Sequence, residues 1–169
     1  MFYAYIDATP VGRLLIAGNE HGLRHVAFCQ THFSTQEVQL EPSWELNERK
    51  LREPIQQLNA YFAGKRQTFD LPLACPGTDF QKRVWKALCE VPFGKTATYG
   101  EIARSVGNPA ASRAVGLANG QNPVAIVVPC HRIIGSNGRL TGYGGGLSHK
   151  QTLLHLEGVA LTAHSDSLF

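Results

Sequence analysis

The sequence predicts an α+β protein, with a small antiparallel sheet near the N-terminus and a mostly helical C-terminal half. Three observations carry this. Short apolar runs crowd into the first 28 residues, at a spacing that suits a meander. Beyond residue 77, a Ser or Thr followed three residues later by Glu or Gln recurs three times, a pattern that opens helices. One apolar run of five, residues 124–128, interrupts them as a buried strand.

Taken in order, residues 2–6, 14–17 and 23–28 are the candidate strands. The turn-rich link from Asp7 to Gly12 separates the first two, and His21-Gly22 precedes the third. Leu51, Ile55, Leu58 and Phe62 then fall at steps of four, three and four, one face of a helix that Gly64 closes. Residues 65–77 break every periodicity, with Pro72, Pro76 and Gly77 among them, so the chain divides into domains 1–77 and 78–169. Thr78 with Gln81 opens the next helix, along which Phe80, Val84 and Leu88 share a face. Thr98 with Glu101 opens a short one that ends at Gly107. Asn108 before Pro109 reads as an N-cap followed by proline at the first helical position, starting a helix that runs to Gly120. Residues 98–120 therefore predict a helix-turn-helix. Ser148 with Gln151 opens the last helix, which Gly158 stops, and the final eleven residues carry no pattern.

Composition narrows the class of protein. The chain has 169 residues, 43% hydrophobic and 17% charged, enough for a core without a disulfide or metal staple. No apolar run approaches the roughly 18 residues of a membrane span. Asp7, Arg13, Glu20 and Arg24 argue against a secretory signal. Cys29, Cys75, Cys89 and Cys130 form no CxxC pair and read as reduced thiols, so a cytoplasmic protein is expected. A net charge of +3 permits a nucleic-acid partner without demanding one.

Four places carry candidate chemistry. Cys130 follows the apolar run and lies between Pro129 and His131. A thiol acts as a nucleophile through its thiolate, and a nearby imidazole helps to form it. Adjacent strand residues face opposite ways, so a Cys130–His131 link needs a turn or a bridging water. Glu157, at the end of the last helix, is placed to orient the imidazole. The second place is the helix after Pro109. It carries one arginine, Arg113, among small residues that include Ser112, Ala114 and Gly116. Such a helix approaches another surface closely and suits a narrow minor groove or an inserted side chain. Third, Thr141-Gly142-Tyr143-Gly144-Gly145-Gly146 lacks a phosphate-loop lysine and reads as a flexible loop or a pocket wall facing a flat ligand. Fourth, His21, His25, Cys29 and His32 lie close in sequence, but their spacing does not match the usual zinc pairs, and no metal or cofactor is assigned.

At Pro129-Cys130-His131-Arg132 the chain resembles the O6-alkylguanine-DNA alkyltransferases. The likeness extends over Gly77-Thr78-Asp79-Phe80-Gln81, Val84-Trp85, Tyr99-Gly100, Ser112-Arg113-Ala114-Val115-Gly116, Asn122-Pro123, the 141–146 loop and Glu157-Gly158. The resemblance implies a ribonuclease H-like α/β subdomain ahead of the helical domain. It implies that Cys130 accepts the alkyl group, with His131 as a water-linked base and Glu157 behind it. Asn122 corresponds to a hinge that ties the helix-turn-helix to the cysteine segment. Arg113 corresponds to the residue that fills the gap left by an extruded base, and Tyr99 to one that crowds the target phosphate and meets the guanine edge. Tyr143, Gly144 and Ile133 correspond to the pocket. Ala125 stands where some members have proline, which leaves more room. The implied partner is double-stranded DNA containing O6-alkylguanine, bound through the minor groove by a monomer. The implied reaction is one irreversible transfer, with O4-alkylthymine as a possible second substrate.

Two other classes compete with this reading. A cysteine hydrolase built on Cys130, His131 and Glu157 would turn over. A DNA-binding regulator would tolerate the loss of Cys130.

Overall fold

The computed structural model describes residues 1–29 and 38–161. The first three runs form β1 (Phe2–Thr9), β2 (Gly12–Asn19) and β3 (Gly22–Phe28), paired antiparallel in sequence order. Register decides their inner face: Ala4 opposes Ile16, Ile6 opposes Leu14, and Ile16 opposes Val26. All five side chains are buried. A fourth strand, β4 (Glu45–Leu46), adds to β1 in parallel, so the sheet is mixed rather than wholly antiparallel. Two exposed residues carry no apolar alternation, which is why sequence reading passed over them.

Helix α1 (Arg52–Phe62) packs on β1 with Leu58 and Tyr61 fully buried. The Gln57 amide donates to Asp70 O at 3.0 Å and accepts from Asp70 N at 2.9 Å. That clasp ties the irregular stretch after α1 back onto the helix and satisfies a buried amide at both ends.

The chain folds as two units, residues 1–76 with 123–127, and residues 77–122 with 128–169. In the first unit the 123–127 excursion meets β3: Val26 N donates to Pro123 O and Ala125 N to Val26 O. The expected strand over 124–128 does not form. Val127 N donates to Ala125 O at 2.9 Å, closing a γ-turn around Ile126, whose φ is +74°. A β-branched residue at positive φ is strained and persists only where its surroundings hold it. Burial of the run is as expected, since Val124 to Val128 are all buried. A short apolar run between two prolines does not reveal its backbone conformation.

The second unit is built on helices. Thr78 and Gln81 form the expected reciprocal cap of α2 (Asp79–Cys89), and Thr98 with Glu101 that of α3 (Tyr99–Ser105). Helix α4 (Ser112–Gly120) begins three residues later than expected. Ala111 N donates to Asn108 O at 3.0 Å, so the Asn-Pro pair makes a turn instead of a cap. Trp85 Nε1 donates to Ala118 O at 2.9 Å, fixing α2 to α4. Strands β5 (Ala97–Thr98) and β6 (Ile133–Ile134) pair in parallel. Helix α5 (Leu147–Leu156) starts after Gly146, at φ +91°. The expected Ser148 cap is absent, because Ser148 already lies inside the first turn. Gly158, at φ +77°, ends this helix region as expected.

Candidate active site

Cys130 is presented by two consecutive tight turns. Pro129 sits at φ −82° and ψ 62°, and Cys130 N donates to Val128 O at 2.8 Å. A 3₁₀ turn over Cys130–Arg132 follows, which removes the strand alternation expected for Cys130 and His131. Asn122 reaches both features at once. Its Nδ2 donates to Val128 O at 2.8 Å and to Cys130 Sγ at 3.0 Å. Because Asn122 follows α4 within two residues, this side chain couples the helix end to the sulfur.

Burial pushes the Cys130 thiol above its ordinary pKa, and Asn122, the Lys150 charge and the Tyr143 hydroxyl pull the other way. The resting group is therefore a neutral thiol that needs a base. His131 is fully buried, and its Nε2 lies 2.8 Å from Glu157 Oε1. A carboxylate only accepts, so Nε2 carries the hydrogen and Nδ1 presents the lone pair. Nδ1 is buried without a hydrogen-bond partner among the described residues. Burial chiefly, with Arg132 and Lys150, lowers the His131 pKa against the opposing pull of Glu157. A neutral imidazole with an open Nδ1 is equipped to take a proton.

Two residues beyond the sequence reading complete the centre. Arg132 forks onto Glu157, Nε to Oε2 and Nη2 to Oε1, each at 2.9 Å. Lys150 is fully buried on α5 and donates Nζ to Ile133 O and to Thr141 O. Burial lowers its pKa to about 8, against an opposing pull from Cys130. The signal for Lys150 was present in the sequence. It stands in helical register with Leu153, Leu154 and Glu157, a charged residue on an otherwise inward-facing stripe.

The remaining expected residues distribute as follows. Tyr143 helps to lower the Cys130 pKa, and Gly144 is its neighbour in the loop. Ile133 is buried directly after the 3₁₀ turn. Ala125 belongs to the first unit, beside the strained Ile126. Tyr99 heads α3 and hydrogen-bonds Thr141 Oγ1 at 2.9 Å. A Cβ on Gly116 would lie 3.7 Å from the Tyr99 ring, an ordinary van der Waals contact, so the ring packs beside α4 at that position. On α4, Arg113 and Ala114 are exposed and Ser112 is half-buried. Leu117, one turn beyond Arg113, is 65% exposed, an apolar contact that the reading of α4 as a small-residue helix missed. His25 stacks on Trp44 with ring centroids 5.8 Å apart, and His32 lies outside the described residues. Among the described residues no group of three or more His, Cys, Asp or Glu side chains is placed to hold a metal ion.

A buried thiol next in the chain to a buried imidazole–carboxylate pair, on a helical unit that follows a small mixed sheet, defines a cysteine-centred protein of α+β fold. Residues 1–75 match the ribonuclease-like domain of 6-O-methylguanine DNA methyltransferase, and residues 79–159 match its DNA binding domain. The chain belongs to the 6-O-methylguanine DNA methyltransferase family. It is 54% identical over 158 residues to the methylated-DNA--protein-cysteine methyltransferase of Methanosarcina acetivorans, covering 94% of this chain and 99% of the relative. A Mycobacterium tuberculosis (strain H37Rv) protein of the same description is 51% identical over 158 residues, covering 92% and 91%. A crystal structure of M. tuberculosis OGT in complex with DNA superposes with a TM-score of 0.84 at 48% identity, covering 94% of this chain and 93% of that one.

Proposed function

We propose that this protein repairs DNA by direct reversal, moving the alkyl group of O6-alkylguanine onto Cys130 in a single irreversible step. The observation that carries the reading is a buried sulfur contacted by Asn122, next in the chain to a neutral His131 oriented by Glu157. His131 Nδ1 takes the thiol proton through a water. The thiolate attacks the alkyl carbon, the C–S bond forms, the C–O6 bond breaks, and its electron pair leaves with guanine, which is then protonated. Guanine leaves more readily when hydrogen bonds meet its developing charge, the part given to Tyr99. A thioether offers no ready leaving group, so the sulfur is not regenerated.

The target base in a duplex must first be extruded. Helix α4 would enter the minor groove of double-stranded DNA, with Ser112, Ala114 and Gly116 permitting close approach and Arg113 filling the stack. Charge supports this. No acidic residue occurs between Glu101 and Glu157, while the exposed cations Arg104, Arg113 and Arg139 do. The protein acts as a monomer in the cytoplasm.

Incubation with O6-methylguanine DNA should add one methyl group, about 14 Da, to each chain, and only at Cys130. Sustained turnover would favour the hydrolase reading. Strong selection for one undamaged sequence would favour the regulator.

Arg113→Ala should separate extrusion from chemistry. Extrusion costs a few kcal/mol, so transfer from duplex should fall about 10- to 100-fold. Transfer from free O6-benzylguanine should stay near wild type. Equal losses on both substrates would remove the finger role.

Alkylation itself should weaken the fold. A methyl on Sγ intrudes on the 3.0 Å contact with Asn122. Overpacking a tight site costs about 1–3 kcal/mol, and Asn122 passes the strain to the end of α4. The methylated protein should melt a few degrees lower and hold DNA less tightly. Scanning fluorimetry before and after stoichiometric methylation reads the change, and an unchanged melting temperature would show that the site absorbs the adduct.

A further inference from the structure

Glu157 is shared between two bases. Its Oε1 receives His131 Nε2 at 2.8 Å and Arg132 Nη2 at 2.9 Å. Its Oε2 receives Arg132 Nε at 2.9 Å and Gly94 N at 3.2 Å. Arg132 is itself buried and spends its remaining terminal nitrogen, Nη1, on Val91 O at 2.7 Å. The guanidinium is therefore locked against the carboxylate on one side and the end of the α2 region on the other.

This arrangement bears on the protonation of His131. A buried carboxylate whose one cationic partner is an imidazole favours the imidazolium. An imidazole that is already protonated has no lone pair with which to take the Cys130 proton. Arginine stays charged throughout the working range, and its fork matches both carboxylate oxygens. With Arg132 in place, the carboxylate is neutralised before His131 is considered. A proton on His131 would then add uncompensated charge to a buried site.

We propose that Arg132 is a positioning residue that keeps His131 a free base, letting Glu157 orient the imidazole without holding it protonated. The inference rests on the alkyl-transfer reading for its purpose, but not for its measurement. The ionisable groups around His131 are Glu157 and Lys150 from the α5 region, Arg132 and Cys130 from the 3₁₀ turn; Cys89, at the end of α2, lies within the field of Arg132. Lys150 acts in the same direction as Arg132. It is bonded to backbone carbonyls and not to the carboxylate, and it loses its charge near pH 8.

The test is the titration of His131, followed by NMR on ring-labelled histidine, in wild type, Arg132→Met, Arg132→Lys and the Arg132→Met/Glu157→Gln double variant. Arg132→Met should raise the His131 pKa by about one unit, a tenfold change in its protonation at a given pH. The double variant removes both charges and should bring it back to wild type or below. A purely structural role would predict the opposite order, with the double variant the more disturbed. Arg132→Lys keeps the cation without the fork, so it gives an intermediate rise and serves if the methionine variant does not fold. In parallel, benzyl transfer from O6-benzylguanine is timed from about pH 5 to 9, where the acid limb should move with the histidine. A His131 pKa unmoved in Arg132→Met, or in Arg132→Lys if that alone folds, overturns the inference, as does a double variant displaced as far as the single one. A wild type that transfers nothing, in a series whose histidine shifts as expected, refutes the alkyl-transfer reading alone.

Discussion

Replacing Cys130 with serine should leave a protein that binds DNA and transfers nothing. An alcohol is ionised to a negligible extent at neutral pH, and its oxygen is a weaker nucleophile than sulfur, so the rate should fall by about four orders of magnitude or more. The scaffold should survive. Serine is slightly smaller than cysteine, and its oxygen still accepts from Asn122, so the coupling between α4 and the 3₁₀ turn is kept. Intact mass after incubation with O6-methylguanine DNA reads the transfer, and a gel shift reads the binding. Residual methylation in this variant, mapped to Cys29, Cys75 or Cys89, would move the acceptor elsewhere. Burial raises the thiol pKa of Cys29 and Cys89, and among the described residues no imidazole–carboxylate pair beyond His131–Glu157 meets the salt-bridge distance, so that outcome is not expected.

Replacing Glu157 with alanine should be costly in stability as well as in rate. Its carboxylate is buried and pairs with Arg132 and His131. Removing one partner of a buried pair leaves the other charge uncompensated, a loss of about 3–5 kcal/mol. For a protein of this length that corresponds to a fall in melting temperature of about 10 °C. Glu157→Gln keeps an acceptor for His131 and should lose less. The pH dependence follows from the same site. Burial lowers the His131 pKa below 6.5, so the unfolded chain takes up the proton first. That contribution to stability is fully present above about pH 6.5 and lost as the pH falls below it. Without Glu157 the folded pKa drops further, and the acid-side loss becomes larger. Thermal melts across this range in wild type and variant check both statements, and a variant as stable as wild type would mean that the carboxylate is not a structural partner of Arg132.

Much of the fold was legible in the sequence because it depends on neighbours in the chain. The three-stranded meander follows from short apolar runs separated by turn residues. The caps at Thr78 and Thr98 follow from side chains meeting backbone three residues away, and both formed as expected. The misreadings have two causes, competing local turns and partners distant in the chain. Asn108-Pro109 and Ser148 carry good local signals for helix starts, yet the observed starts lie at Ser112 and Leu147, where turn closure and a positive-φ glycine decide. The parallel strand β4, by contrast, depends on β1, and the segment that carries the γ-turn at Ile126 on Val26, both distant in sequence.

The same division runs through the site. Sequence by itself singled out Cys130 as the candidate centre, with His131 next in the chain and Glu157 at the end of the last helix, and put Arg113 on a helix of small residues, because residue type and order carry those expectations. Tertiary structure decided how these groups are arranged. It put Asn122 on the sulfur, replaced strand alternation with a 3₁₀ turn, buried Lys150 against two carbonyls and set Arg132 across Glu157 from His131. Each of these is a matter of distance and desolvation between groups up to 26 residues apart in sequence. Charges separated by a few ångströms in a buried site control one another's protonation, and chain order alone does not specify that separation.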